Sequence, residues 1–197
     1  MFYILSFIVA LLYVFFDVNY FLRTIFTVVI GRLFEKRVKI TDPTTIYGFC
    51  FTQDLDIAGR HMNNARFVRD LDFSRFHFYD RTGLYAEMRR RHTDAVQAAT
   101  SIRYRRVIPI FTFYKIESQL LYWDEKAFYV EQRFVTPHDG FVRAAVLSKQ
   151  VMLRARADEM VTTLCGGQVE KPALTPDLDL WIKSMEASSE RLRPHKS

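Results

Sequence analysis

The sequence is most informative in one stretch, DLDIAGRHMNNARF, which occupies residues 54–67 of the 197. Two carboxylates, Asp54 and Asp56, precede a short turn that contains Gly59. The amide of Asn63 or Asn64 can accept a hydrogen bond from the unpaired N–H groups of a first helical turn, so the stretch predicts a helix start. A helix start carries partial positive charge and free N–H groups. A carboxylate beside it would place a nucleophile or base next to oxyanion donors, which is what acyl transfer requires.

The residues that follow repeat with the period of an α-helix from Asn64 to Arg81, and Gly83 ends the helix. The spacing predicts a buried apolar face made of Phe67, Val68, Leu71, Phe78 and Tyr79. The opposite, solvated face is predicted to carry Arg66, Arg69, Asp70 and His77. Phe73 and Phe76 fall outside the buried face. They are either ordinary exposed aromatics or a second surface for a partner subunit or an acyl chain.

The chain on either side of this helix alternates with the period of β-strands. One strand is predicted over residues 45–52, and four more within 96–104, 111–123, 127–135 and 141–153. The Asp139-Gly140 dipeptide is a strong signal for the last hairpin turn. One strand, one long helix and an antiparallel meander predict an α+β fold in which the sheet wraps the helix.

The motif at residues 54–67 resembles the signature of hotdog-fold thioesterases of the 4-hydroxybenzoyl-CoA and acyl-ACP type. In that family an Asp is followed after a few residues by His-Val-Asn-Asn, an aromatic and the central helix. Further stretches extend the resemblance over almost the whole chain, at residues 123–129, 133–135, 139–142 and 186–189. The resemblance implies a hotdog fold, here with an added N-terminal hydrophobic helix. It also implies acyl sites at the interface of a homodimer, and pairing of exposed edge strands would favour such a dimer.

The motif supplies four candidate catalytic residues, Asp56, His61, Asn63 and Asn64. By its position in the resembled motif, Asp56 would attack a thioester carbonyl or activate a water, while N–H groups at the helix start bind the oxyanion. His61 would orient the carboxylate or donate to the carbonyl, and the two asparagines would cap the helix or position the substrate. The same residue types are common capping residues, so a purely structural role is the alternative.

The motif departs from the family pattern at two points. Asp56 and His61 are five residues apart, whereas the family spacing is usually four. Ala58 and Gly59 occupy the places where the plant acyl-ACP enzymes carry an asparagine. Because a displaced side chain costs catalysis heavily, two functions stay open. One is an acyl thioesterase acting on fatty acyl-CoA or related thioesters in lipid metabolism. The other is a catalytically weak or inactive acyl-binding or lipid-homeostasis protein.

Basic side chains are candidates for the anionic part of a substrate. The net charge is +6, which favours phosphates or acidic lipid headgroups as neighbours. Arg103 and Arg105 flank Tyr104 and could bind the phosphates of CoA, although solvated or membrane-facing charge is the default interpretation of such a run. Asp54 and Gly59 complete the substrate-contacting candidates. The expected substrate is a thioester of CoA or of a carrier protein. No motif indicates a cofactor, a metal or nucleic-acid binding.

The first forty residues combine a hydrophobic segment with basic residues that follow it. Residues 1–16 carry no charge, and residues 20–30 are apolar again apart from Arg23 and two threonines. By the positive-inside rule, the later residues face the cytosol. Residues 1–40 are therefore predicted to form a membrane anchor, in which residues 20–30 extend the anchor or lie in the interface. The family resemblance implies the endoplasmic reticulum. A cleaved signal peptide, which would give a secreted or luminal protein, is the alternative.

The remaining chain divides into two predicted parts. Residues 41–156 form the hotdog domain, and residues 157–197 form a C-terminal extension with a short helix over 180–192. The two cysteines, Cys50 and Cys165, are too few for a disulfide-stapled secreted domain and favour a reducing compartment, although a single pairing stays open.

Overall fold

The structure is a computed structural model and describes residues 2–193. The described residues form six α-helices and five β-strands. In chain order these are α1 (Phe2–Phe15), α2 (Val18–Phe34), β1 (Thr44–Phe49), α3 (Asn64–Arg81), α4 (Leu84–Arg90), β2 (Ala95–Tyr104), β3 (Phe113–Trp123), β4 (Ala127–Thr136), β5 (Phe141–Met152), α5 (Ala157–Cys165) and α6 (Pro176–Arg191).

The five strands form one antiparallel sheet in the order β1-β3-β4-β5-β2, so β1 and β2 are its two edges. The sheet wraps α3, and the predicted hotdog fold is confirmed. Phe67 and Phe78 of α3 are buried in two separate clusters against the sheet. The ring of Phe67 lies 4.9 Å from the ring of Phe134 on β4. Burial of each such side chain contributes about 1.5–3 kcal/mol, so this face fixes the helix on the sheet.

The predicted faces of α3 are wrong at four positions. Val68 is exposed, whereas Asp70, Phe73 and His77 are buried. The reason is that α3 is covered on both sides, by the sheet on one and by α2 on the other. A helix with two covered faces loses the single apolar stripe on which the prediction rested.

Close backbone approach and polar contacts join α2 to α3. A Cβ atom added to Gly31 would lie 3.0 Å from the ring of His77, so glycine allows the two helices to approach. Nη1 of Arg81 donates to the carbonyls of Gly31 and Glu35 over 2.7 and 2.9 Å. The bond to Glu35 satisfies a carbonyl just beyond the end of α2, and the carbonyl of Gly31 also accepts from the N–H of Glu35 over 2.9 Å.

The helix α1 differs from α2 because almost all its side chains are exposed. Its axis is bent by 86° from that of α2. Among the described residues, no single helix is long and apolar enough to cross a membrane, and α1 and α2 meet that test of length and composition only as a bent pair.

The C-terminal helix α6 begins at Pro176, four residues before the predicted start at 180. Proline is favoured in a first helical turn because its missing N–H needs no partner there. Leu178 is buried and packs with Trp181 against Tyr129 of β4.

Both cysteines are free thiols. The division of the chain at residues 40 and 156 stays a prediction.

Candidate functional site

A tight turn carries most of the candidate residues. Leu55 and Met62 pair across it in an isolated β-bridge. The N–H of Asp56 donates to the carbonyl of His61 over 2.9 Å, and the N–H of Gly59 donates back to the carbonyl of Asp56 over 2.9 Å. Gly59 has a φ of +68°, in the left-handed region that glycine enters without a Cβ penalty. The positive φ therefore explains why a glycine stands at position 59, and the turn places Asp56 beside His61.

The carboxylate of Asp56 is bound by its own turn. Its Oδ1 accepts from the N–H groups of Arg60 and His61, over 3.2 and 3.5 Å. Partial burial opposes ionisation, but these hydrogen bonds outweigh it and lower the pKa of Asp56 below its usual value. Its Oδ2 lies 3.7 Å from Nε2 of His61. Asp56 is thus an ionised, oriented carboxylate and a weak base.

The ring of His61 is oriented by a backbone carbonyl. Its Nδ1 lies 3.1 Å from the carbonyl oxygen of Met62. Because a carbonyl only accepts, Nδ1 carries the proton of the neutral ring, and this tautomer leaves a lone pair on Nε2. His61 can therefore accept a proton at Nε2, on the side that faces Asp56.

The start of α3 leaves one backbone donor open. The side chain of Asn63 accepts from the N–H of Ala65 over 2.8 Å, which confirms its predicted capping role. The carbonyl of Asn63 accepts from Arg66 over 2.9 Å, and its own N–H donates to Asp54 over 2.8 Å. Within the part of the chain that the structure describes, three of the first four N–H groups are thus bound. The N–H of Asn64 is the donor that can face a ligand.

Asn64 is one of the residues that line a groove of about 330 Å³. Its lining brings together His61, Asn64, Phe67, Tyr104, Arg105 and Arg106. The hydroxyl of Tyr104, at the end of the edge strand β2, donates to the carbonyl of Asn64 over 3.0 Å. The guanidinium groups of Arg105 and Arg106 lie 4.8 and 4.1 Å from the centre of the Phe141 ring. The groove thus combines a base, a backbone donor and a cationic wall.

Five predicted site residues do not line this groove, namely Asp54, Asp56, Gly59, Asn63 and Arg103. Arg103 is exposed on β2, where it pairs with Ala145 of β5. Gly59 is exposed at the tip of the turn. Asp54 is buried and faces the other side of the turn, where Nε of Arg66 lies 2.6 Å from its Oδ1. Asp54 ends a short 3-10 helix (Thr52–Asp54) that precedes the turn, whereas Asp56 lies within the turn, so the two carboxylates have different partners. The catalytic and substrate-binding roles of the candidates stay predictions.

Asp54 belongs to a buried charge network that the motif did not indicate. Nη1 of Arg23 lies 3.5 Å from Oδ1 of Asp54, and Nη2 lies 3.4 Å from Oδ2 of Asp70. Nε of Arg66 is 3.4 Å from Oδ1 of Asp70. The hydroxyl of Tyr114, on β3, donates to Asp70. The network therefore joins α2, the turn, α3 and the sheet.

The buried carboxyls of the network ionise less readily than exposed ones. Burial raises the pKa of Asp54, against the hydrogen bond from the N–H of Phe51 and the charge of Arg23. Burial also raises the pKa of Asp70 to about 6, although Arg23 and Tyr114 favour its ionised form. Two sequence signals could have found the network. Arg66 and Asp70 have the spacing of a helical ion pair, and Arg23 is a charge within an apolar run.

Residues 2–193 contain no group of three or more His, Cys, Asp or Glu side chains placed to bind a metal ion. Burial raises the pKa of Cys50 to about 11, so this thiol is a poor nucleophile at neutral pH. The polar groups that remain available in the groove are His61, the backbone N–H of Asn64 and the arginines.

An antiparallel sheet around a long helix, with an Asp–His turn at the helix start, is what the thioesterase resemblance implied. The family model of the Thioesterase-like superfamily matches residues 50–182, and the chain belongs to this superfamily. The chain is 52% identical over 189 residues to Protein THEM6 of Drosophila melanogaster, with 96% of this chain and 97% of that protein covered.

Solved structures show the same fold at lower identity. The probable thioesterase YbaW from Escherichia coli is similar with a TM-score of 0.57 and 21% identity, over 64% of this chain and 98% of that one. A gentisyl-coenzyme A thioesterase is similar with a TM-score of 0.54 and 16% identity, over 63% of this chain and 100% of that one. These structures support the hotdog fold.

Proposed function

We propose that this protein hydrolyses a fatty acyl thioester in the groove at the start of α3. The observation that carries the proposal is that His61, Arg105 and Asn64, the residue with the open backbone N–H at the start of α3, line one groove. A base and a backbone donor are the two groups that water attack on a thioester needs.

In the proposed reaction, the carbonyl oxygen of the thioester accepts from the N–H of Asn64. A water attacks the carbonyl carbon and gives a proton to Nε2 of His61, and Asp56 stabilises the resulting imidazolium across 3.7 Å. The carbon–sulfur bond then breaks, and the proton passes from His61 to the departing thiolate. The products are a carboxylic acid and a free thiol. Asp56 acts here through His61, since its own Oδ1 is bound by the turn.

The cationic wall of the groove supports CoA as the carrier of the acyl group. Arg105 and Arg106 project into solvent at the groove, where guanidinium groups can pair with phosphates. The similar gentisyl-coenzyme A thioesterase acts, by its name, on a CoA thioester. A thioester on a carrier protein is the alternative substrate, because such a carrier also presents a phosphopantetheine group.

The proposal includes a homodimer that pairs the edge strand β2 with its copy. Most side chains of β2 are exposed, and Tyr104 at its end lines the groove. A second copy beside β2 would bury this edge and complete the open side of the groove.

The proposal also includes membrane attachment through α1 and α2, at the endoplasmic reticulum with the hotdog domain in the cytosol. The exposed apolar side chains of α1 support attachment.

A second function, acyl binding without turnover, is favoured by the state of Asp56. Its Oδ1 is bound by backbone N–H groups and its pKa is lowered, so it is poorly suited to accept a proton or attack a carbonyl. If His61 also fails as a base, the groove would bind acyl thioesters in lipid homeostasis without cleaving them.

The test is hydrolysis of a panel of acyl-CoA thioesters by the full chain, measured as the release of free thiol. The proposal expects turnover, and His61→Gln should lower kcat by about 10²-fold or more. Asp56→Asn should lower kcat less, because it acts through His61. Arg105→Ala should raise KM for acyl-CoA and leave KM for acyl-pantetheine unchanged. Acyl-CoA binding without turnover would instead establish the second function, and unchanged kcat in His61→Gln would remove this residue from the mechanism.

A further inference from the structure

A second cavity, of about 320 Å³, lies between α2 and β1. It shares no lining residue with the groove at the start of α3. Arg23, Asp70 and Tyr114 make a polar floor, and most of the other lining side chains are aromatic or aliphatic. A cavity of this size with a few convergent polar groups in an apolar lining is typical of a small-molecule site.

The polar floor retains hydrogen-bonding capacity for a ligand. The guanidinium nitrogens of Arg23 lie 3.5 and 3.4 Å from Asp54 and Asp70, longer than the usual distance of a charge-assisted hydrogen bond. The guanidinium also lies 4.7 Å from the centre of the Phe73 ring. Several N–H donors in a planar fork beside an aromatic ring suit a carboxylate.

Gly48 permits the arrangement of this floor. A Cβ atom at this position would lie 2.4 Å from the ring of Tyr114. With glycine there, the ring passes beneath β1 and its hydroxyl reaches Asp70. The floor is part of the buried charge network, which holds two arginines and two carboxyls, so uptake of a proton by Asp70 would leave one net positive charge. A bound anion would balance that charge, and the raised pKa of Asp70 favours this proton uptake.

Aromatic rings form the walls and the mouth. The ring of Phe49 lies 4.6 Å from the ring of Phe51 and 4.6 Å from that of Phe113. Phe26 and Phe51 line the cavity and are 67% and 51% exposed. Phe26 also belongs to an apolar stripe along α2, which comprises Phe21, Leu22, Ile25, Phe26, Val29 and Leu33. The cavity thus opens onto apolar surface, along which a hydrocarbon chain can extend beyond the enclosed volume.

We propose that this cavity binds a single-chain fatty acid, with its carboxylate on Arg23 and its chain between Phe26, Phe49 and Phe51. The polar floor matches the one anionic end of such a molecule, and the aromatic walls match its single chain. The apolar stripe on α2 gives the ligand a route from a lipid surface. The site requires no thioester, so it stands or falls independently of hydrolysis in the groove.

Photolabelling of the full chain with palmitic acid that carries a terminal diazirine tests the proposal. Labels should appear in the segments that contain Phe26 and Phe49, and unlabelled palmitate should displace them. Thr27→Trp, which fills the cavity from α2 without removing a charge, should lower labelling about tenfold or more. Arg23→Gln should do the same, since a charge-assisted hydrogen bond is lost. Leu180→Ser, at an exposed apolar residue of α6 outside both the cavity and the stripe, is the matched control and should label as the parent does.

Two outcomes would overturn the proposal. Labelling that is unchanged in Thr27→Trp would show that the ligand does not occupy the cavity. Equal labelling by a diazirine hydrocarbon without a carboxylate would show that the surface only attracts apolar molecules. Thermal unfolding of each variant is measured alongside. If Arg23→Gln does not fold, Thr27→Trp and the hydrocarbon decide the question, because both leave the charge network complete.

Discussion

Arg23 of α2 lies 3.4 Å from Asp70 of α3, so the hydrophobic N-terminal segment contributes a cation to the buried centre of the hotdog domain. The same guanidinium lies 3.5 Å from the carboxylate of Asp54. The backbone carbonyl of Asp54 accepts from the N–H of Asn63, the residue that caps α3. The segment predicted as an anchor is therefore also part of the domain's packing. This contact links stability, the cavity beside β1 and the turn that carries the candidate site.

Replacement of Arg23 should destabilise the protein much more than replacement of an exposed arginine on the same helix. Arg23→Met leaves Asp54 and Asp70 buried with one fewer cation, and we expect a loss of about 2–4 kcal/mol in the free energy of unfolding, somewhat below that of a fully buried pair. Arg32→Met is the matched control, since Arg32 pairs with Asp80 at the surface. Its expected loss is about 0–1 kcal/mol. Chemical denaturation of both variants checks this, and equal losses would contradict it.

The charge network should also make stability depend on pH through Asp70. Its pKa is about 6 in the folded protein and 3.8 as an unperturbed side chain, so between these values the folded state holds a proton that the unfolded state has lost. Stability from this residue is therefore present below about pH 4 and lost as the pH rises through about 6.

Asp70→Asn removes this titration while keeping an oxygen that can accept from Tyr114. The free energy of unfolding of the variant, relative to the parent, should rise between about pH 4 and 6. Arg23, Arg66 and Asp54 face the same carboxyl in both proteins, so the difference isolates Asp70. Denaturation curves at a series of pH values give the measurement. A difference that does not change with pH would show that Asp70 does not titrate in this range.

Gly48→Ala should destabilise the protein by about 1–3 kcal/mol, as overpacking of a core typically does. The added Cβ would lie 2.4 Å from the Tyr114 ring and force that ring away from Asp70. Gly167→Ala is the control, because nothing lies within 4 Å of a Cβ there and the backbone is not in the left-handed region. Melting temperatures compare the two. A Gly48→Ala protein that melts with the parent would show that Tyr114 has room to move.

The proposed dimer predicts a specific effect on the edge strand β2. Thr100 is exposed on this strand, in register with Ser148 of β5. Thr100→Lys would place a charge in the pairing edge and repeat it on the second copy, so the dimer should dissociate while the monomer stays folded. Light scattering of the full chain measures the mass. Lys149→Thr, on β5 away from that edge, is the control, and a parent that is monomeric at micromolar concentration would contradict the dimer.

The sequence predicted the fold well because its signals were local. Alternation gave the meander, and the Asn63 cap with Gly83 bounded the central helix closely. The observed strand boundaries differ from the predicted ones where a single backbone feature interrupts the strand. Phe111, for example, has a φ of +58° and lies outside the strand that begins at Phe113.

The sequence predicted less of the site because the missing part depends on tertiary contacts. The motif indicated Asp56, His61 and Asn64, which the turn and helix start bring together. It could not show that Asp54 turns inward or that Asp70 is buried, since both depend on α2 lying across α3. Arg106 and Tyr104 reach the groove because β2 ends beside the start of α3, and that placement is a property of the sheet.

The most direct test of the proposed hydrolysis removes a single backbone donor. Asn64→Pro deletes the open N–H at the start of α3, and proline is well tolerated at the first position of a helix. Asn63 already has a ψ of +139°, which a following proline favours. Asn64→Ala is the matched control because it removes the side chain and keeps the N–H. We predict that kcat for acyl-CoA hydrolysis falls about 10²-fold or more in Asn64→Pro and little in Asn64→Ala, with both variants folded. Equal kcat in the two folded variants would contradict the proposed role of the helix start in catalysis.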